Sequence, residues 1–123
     1  MSGLPIDPLI GRLQTVLDLR EQQHSMTAAN LANAATPGYR ASHLDFRSAL
    51  GDVVRGESKK SSTEIAQESV VELDPPPWAV DENSVLPERE MARLQENSML
   101  YGGVARGLSR KLAILKFAAG NGR

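Results

Sequence analysis

Eight residues, Met91, Leu94, Ser98, Tyr101, Ala105, Leu108, Leu112 and Leu115, recur at alternating intervals of three and four. That spacing averages 3.5 and keeps one face of an α-helix turned toward a partner, the pattern of a coiled-coil seam. Pro87 suits the first helical position, where its missing N–H costs nothing. Glu88 and Glu90 lie in the first turn and Arg110, Lys111 and Lys116 near the far end, an order that complements the helix macrodipole. Val85 and Leu86 are placed to staple the entry. A helix from Pro87 to about Ala119 spans roughly 50 Å. Gly102, Gly103 and Gly107 fall inside it, and each interior glycine costs about 1 kcal/mol relative to alanine. The heptad stays in phase across them, so the expectation is an unbroken helix with another backbone in close approach.

A second helix is expected near the N-terminus. Asp7 reads as an N-cap and Pro8 as the first helical residue. Apolar positions then recur along a track of Leu13, Leu17, Arg20, His24, Thr27, Leu31 and Ala34, apolar at both ends and polar in the middle. The helix is expected to stop near Ala35, because Pro37 disfavours the α conformation for Thr36. Pro37-Gly38 fits the central positions of a type II turn, with Tyr39 as an anchor behind it. Asn30 and Asn33 share a helix face beside that turn. From Pro8 to Ala35 the helix would run about 42 Å. A slender helix with a polar-centred stripe is not stable alone and requires partners.

Between the two helices the character changes. Leu44, Phe46, Leu50, Val53 and Val54 fit a short amphipathic helix before Gly56. Residues 57–68 are polar and read as loop, residues 69–73 as a short extended piece, and Pro75-Pro76-Pro77 as polyproline leading to Trp78. The expected fold is all-α in the main: two long terminal helices in an antiparallel coiled-coil hairpin, with a poorly structured middle. Residues 1–40, 41–83 and 84–123 would be the three parts of one domain.

Aromatic residues make up only 4% of the 123, too few for a thick core, which favours helices burying stripes on neighbours. A net charge of −1 lacks the basic footprint of nucleic-acid binding. Charge is nevertheless graded, since residues 102–123 hold five bases and no acid. No cysteine is present, so neither a disulfide nor a thiolate centre is expected. No Sec-type signal and no apolar run of spanning length are read in the chain.

Catalytic signals are missing. His24 and His43 lack a third ligand at metal spacing, and the glycines follow no strand that would make a phosphate loop. Glu90 with Arg93 reads as a surface pair, and Tyr39 and Tyr101 read as core residues. Neither an enzyme, a cofactor nor a small-molecule substrate is expected.

The stretch Asn30-Leu31-Ala32-Asn33-Ala34-Ala35-Thr36-Pro37-Gly38-Tyr39-Arg40 resembles the N-terminal signature of bacterial flagellar axial proteins. Asn83 to Met91, followed by Leu94, Asn97, Tyr101, Leu108, Lys111, Leu115 and Lys116, is similar to the end of the proximal rod family of FlgB type. The FlgC-type paralogue and a generic helical adaptor or secretion chaperone are the alternatives.

The resemblance implies a structural subunit of the basal-body rod. Its terminal helices would stack with copies of itself and with other rod proteins into a helical tube that transmits torque and encloses the export channel. It also implies export through the flagellar type III apparatus without a cleaved signal peptide, with the rod adaptor FliE and the export gate as neighbours. The residues expected to carry subunit contacts are Leu13, Leu17, Asn30, Leu31, Asn33, Thr36, Pro37, Gly38, Tyr39, Met91, Leu94, Asn97, Tyr101, Leu108, Leu112 and Leu115. Within the hairpin, Leu94, Tyr101, Leu108, Leu112 and Leu115 are expected to pack on Leu13, Leu17 and Leu31.

Overall fold

The computed structural model describes residues 8–55 and 60–121. Two long helices dominate it, α1 (Pro8–Ala32) and the C-terminal α4 (Pro87–Asn121). With 25 and 35 residues they measure about 37 and 52 Å. Between them come β1 (Ser42–Leu44), α2 (Phe46–Arg55), α3 (Ser62–Glu68) and β2 (Val70–Glu72). The expected N-cap at Asp7 lies outside the described residues. No described helix is long and apolar enough to cross a membrane.

The middle is more ordered than its sequence suggests. Part of the stretch expected as loop, from Ser62, is the helix α3. Its start is capped by Ser61, whose hydroxyl oxygen accepts from the Glu64 N–H and whose hydroxyl donates to the Glu64 carboxylate at 3.3 Å. Asp45 caps α2 in the same way, accepting from the Ser48 N–H. The two strands pair antiparallel, with His43 opposite Val71. The apolar core is built here, from Leu44, Ala49, Val53, Ile65 and Ala66 closing on Leu19 of α1. Scarce aromatics are no obstacle, because α1 supplies a rigid wall against which three short elements collapse.

α1 ends at Ala32, three residues before the expected stop. Asn33 directs both its N–H and its side-chain amide to the Ala29 carbonyl, an arrangement that competes with continuing the helix. The turn at Pro37-Gly38 is as expected. Gly38 has φ +73° and the Tyr39 N–H bonds the Thr36 carbonyl at 3.2 Å, which defines type II.

α4 runs unbroken through Gly102 and Gly103. The expected close approach of a backbone is not found within the protomer, since a Cβ at Gly103 or Gly107 would meet nothing within 4 Å. The buried face of α4 is also displaced by one residue from the expected seam. Glu90 and Asn97 are its buried members, while Met91, Ser98, Tyr101, Leu112 and Leu115 are exposed. Likewise α1 buries Ile10, Leu19, Gln23, Thr27 and Asn30 and leaves His24 exposed. Tertiary demand for polar partners overrides the apolar periodicity on both helices.

Candidate functional site

α1 makes an unusual contact with β1. The bonds from Asp45 N–H to Ser69 O and from Leu73 N–H to Ala41 O fix which edge of β1 faces β2. In an antiparallel ladder the alternate residues, Ser42 and Leu44, then point their backbone groups away from β2. Two amide side chains of α1 meet them. Gln23 Oε1 accepts from the Leu44 N–H at 2.7 Å. The Asn30 amide accepts from the Ser42 N–H at 3.1 Å and donates to the Ser42 carbonyl at 3.0 Å. Seven residues apart on one helix, the two amides stand where a third strand would. Each buried backbone group that they satisfy would otherwise lack a partner.

α4 closes over this arrangement with Glu90, which is 1% exposed. Its carboxylate accepts from Asn30 Nδ2 at 3.1 Å, lies 3.0 Å from His43 Nε2 and takes Arg93 Nη1 at 3.3 Å. The expected surface pair of Glu90 and Arg93 is therefore the exposed edge of a buried cluster. Paired in this way a buried charge is tolerated, whereas an unpaired one is strongly destabilising. One heptad further along, Asn97 Nδ2 donates to the Arg20 carbonyl at 2.7 Å and its Oδ1 accepts from the Arg20 guanidinium. Arg20 lies 3.8 Å over the Phe46 ring. Burial pulls its pKa down against the opposing pull of Glu96.

A third junction joins the turn to the approach of α4. Asn83 Nδ2 donates to the carbonyls of Asn33 and Thr36, at 2.9 and 2.7 Å, while its Oδ1 accepts from the Val85 N–H. Beside it the Gly38 N–H bonds Asp81 O, the Ser84 N–H bonds Tyr39 O and the Ala41 N–H bonds Ser84 Oγ. Together these bonds set the direction in which the chain leaves α1.

The residues expected at subunit contacts divide into two groups. Asn30 and Asn97 are buried inside the protomer, and Asn33 and Tyr39 are half-buried at the turn junction, the Tyr39 hydroxyl donating to Asn30 Oδ1 at 3.4 Å. Thr36, Pro37, Gly38, Met91, Tyr101, Leu112 and Leu115 are exposed, and Leu13, Leu17, Leu31, Leu94 and Leu108 are half-buried. Tyr101 is thus not a core residue. Nor do Leu112 and Leu115 lie on α1. The contact of Arg20 with Asn97, carried in antiparallel register to Pro8, reaches about residue 109, so roughly 18 Å of α4 extends past the start of α1. Sequence reasoning missed Gln23, Thr27, His43, Asn83 and Ser84, and read Glu90 wrongly. The available signal was the heptad spacing of polar residues, Gln23 to Asn30 and Glu90 to Asn97.

No family model matches the chain. Curated relatives do. A protein from Escherichia coli described as "Flagellar basal body rod protein FlgB" is 33% identical over 112 residues, covering 78% of this chain and 81% of the relative. Its namesake from Salmonella typhimurium is 36% identical over the same coverage. This chain belongs to the FlgB family of flagellar basal body rod proteins. A more distant member, from Cereibacter sphaeroides, is 30% identical over 83% of this chain and 86% of its own length. The resemblance carried by the Thr-Pro-Gly-Tyr turn and the C-terminal pattern therefore holds. In this FlgB-family chain both of those segments converge on one place, the junction of Asn30, Asn83 and Glu90.

Proposed function

We propose that the chain is a structural subunit of the proximal rod of the bacterial flagellar basal body and that it assembles helically through its terminal helices. The observation that supports this most directly is the far end of α4. Leu112, Ile114, Leu115 and Phe117 are 47, 59, 40 and 72% exposed and lie beyond the start of α1, among the residues described. A run of large apolar side chains on the surface is a mark of an interaction site. Arg110 and Lys116 and the absence of any acid after Glu96 give this end a positive charge suited to acidic neighbours.

A second feature supports the same reading. Toward the same end of the hairpin α1, α2 and α4 enclose an open groove of about 430 Å³, lined by Leu13, Val16, Leu50, Val53, Leu100 and Val104 among others. An exposed apolar helix end and a concave apolar groove are unlike surfaces that can meet between neighbouring copies, and such heterologous contacts propagate into tubes and filaments when they do not close. In this reading the exposed members of the expected contact set, Thr36, Pro37, Gly38, Met91, Tyr101, Leu112 and Leu115, meet neighbours directly. Asn30 and Asn97 act one step behind, by fixing the protomer.

The neighbours would be copies of the chain, other rod proteins, the adaptor FliE and the type III export gate. The chain would leave the cytoplasm without a cleaved signal peptide, and the tube would transmit torque and enclose the export channel. No catalytic role belongs to this reading. Replacing Ile114 and Phe117 together by serine tests it. Basal bodies isolated from that strain should lack rods while the protein is still expressed and exported; intact rods would overturn the proposal. A fixed dimer at rising concentration in size-exclusion chromatography would point instead to an adaptor.

A further inference from the structure

His43 is held at Nδ1 by a hydrogen bond that only the unprotonated nitrogen can accept. Gln23 Oε1 accepts from the Leu44 N–H. A backbone N–H can only donate, so this bond fixes the orientation of the amide. Gln23 Nε2, a donor, then faces Thr27 Oγ1 at 2.9 Å and His43 Nδ1 at 3.2 Å. Nδ1 must therefore accept, and so carries no proton. The ring proton of the neutral imidazole sits on Nε2, directed at Glu90 Oε1 3.0 Å away.

The surroundings give an imidazolium little support. From α4, the donor Arg93 Nη1 crowds His43 Nε2 and competes with it for the Glu90 carboxylate, and Glu96 lines the adjoining pocket. From α1, Arg20 lines that pocket beside Gln23. From β2, Val71 sits opposite and offers no charge. Two arginines and two glutamates thus balance around a neutral ring. Burial pushes the His43 pKa below its ordinary value of 6.5, and Arg93 acts in the same direction, against the pull of Glu90.

We propose that the chain Gln23–His43–Glu90 is a pH-sensitive latch that joins α1, β1 and α4 while His43 is neutral and loosens when Nδ1 takes a proton. The reason is a conflict at one amide. Turning Gln23 over would present Oε1 to the new Nδ1–H, but would set its NH₂ against the Leu44 N–H. Either way a buried donor is left without an acceptor. The sign follows from linkage. The folded pKa lies below the unfolded one, so the latch contributes its full stability above about pH 6.5. That stability is lost as the pH falls from there toward the folded pKa, because the unfolded chain binds the proton first.

The decisive variant is Gln23→Glu. A carboxylate has an acceptor for each donor, one oxygen for the Leu44 N–H and one for the protonated Nδ1, and its charge favours the imidazolium. Imidazole ¹⁵N NMR together with urea midpoints between about pH 7.5 and 5.5 tests the latch on the full chain. In the wild type His43 should be the Nε2–H tautomer and titrate below 6.5, and the urea midpoint should fall on acidification. In Gln23→Glu the His43 pKa should rise by about one unit or more and the pH slope should flatten or reverse. A wild-type Nδ1–H tautomer, or titration at or above 6.5, overturns the latch, and the wild-type measurement decides this even if the variant fails to fold. An unmoved pKa in a folded Gln23→Glu protein overturns it as well.

Discussion

Asn30 of α1 and Glu90 of α4, sixty residues apart in sequence, meet at 3.1 Å inside the protomer. The same amide satisfies both backbone groups of Ser42, so one side chain ties the first helix to the strand and to the last helix. Asn30→Leu keeps the branched outline of the side chain and removes all four bonds, those to the two Ser42 groups, to Glu90 and from the Tyr39 hydroxyl. The expected loss is about 3 kcal/mol, because a buried carboxylate and two strand groups are left short of partners. Urea unfolding measures it, and a change below about 1 kcal/mol would show that water replaces the amide freely.

Gly38 has φ +73°, where a β-branched residue is strained. Gly38→Val should cost about 1–3 kcal/mol and impair rod formation, whereas Gly38→Asn should be milder because asparagine tolerates the left-handed region. Comparing thermal midpoints of the two variants separates backbone geometry from side-chain bulk. A Gly38→Val protein as stable as the wild type would mean that the turn is free to change type.

Asn83 occupies three backbone groups at once, the carbonyls of Asn33 and Thr36 and the N–H of Val85. Asn83→Ala should lower stability by about 1–3 kcal/mol. Hydrogen exchange at the Val85 amide should quicken more than exchange within α4. Uniform quickening along the whole chain would refute a local role.

Tyr101 is 40% exposed, on a helix whose buried members are polar. Tyr101→Ala should leave protomer stability within about 1 kcal/mol and yet prevent incorporation into rods. Circular dichroism and a motility assay read the two effects separately. Normal swimming by the variant would remove Tyr101 from the contact surface.

Both long helices, the type II turn and the antiparallel pairing were legible, because proline, glycine and apolar spacing act locally. The packed faces were not. The heptad spacing pointed to Met91 and Ser98, whereas the chain buries their neighbours Glu90 and Asn97. Glu90 is buried because it meets Asn30, His43 and Arg93 together, and no local pattern announces a three-way meeting of α1, β1 and α4. The middle was missed for a different reason. Ser61 to Glu64 carries a Ser-x-x-Glu capping pattern in plain view, but the helix it starts is only seven residues long and packs against Leu19 and Val53.

The length of α4 that outruns α1 has a consequence for motion. Beyond about residue 109 the described part of α4 has outrun α1, and a short helical stretch with little tertiary support is marginal in water. Its opening should therefore cost less than the melting of the polar junction and less than global unfolding. The C-terminal end is expected to fray as a local helix–coil segment ahead of the rest. Its helical fraction reports whether its apolar side chains are covered, so a backbone probe placed near Phe117 would read occupancy of that end without perturbing the fold.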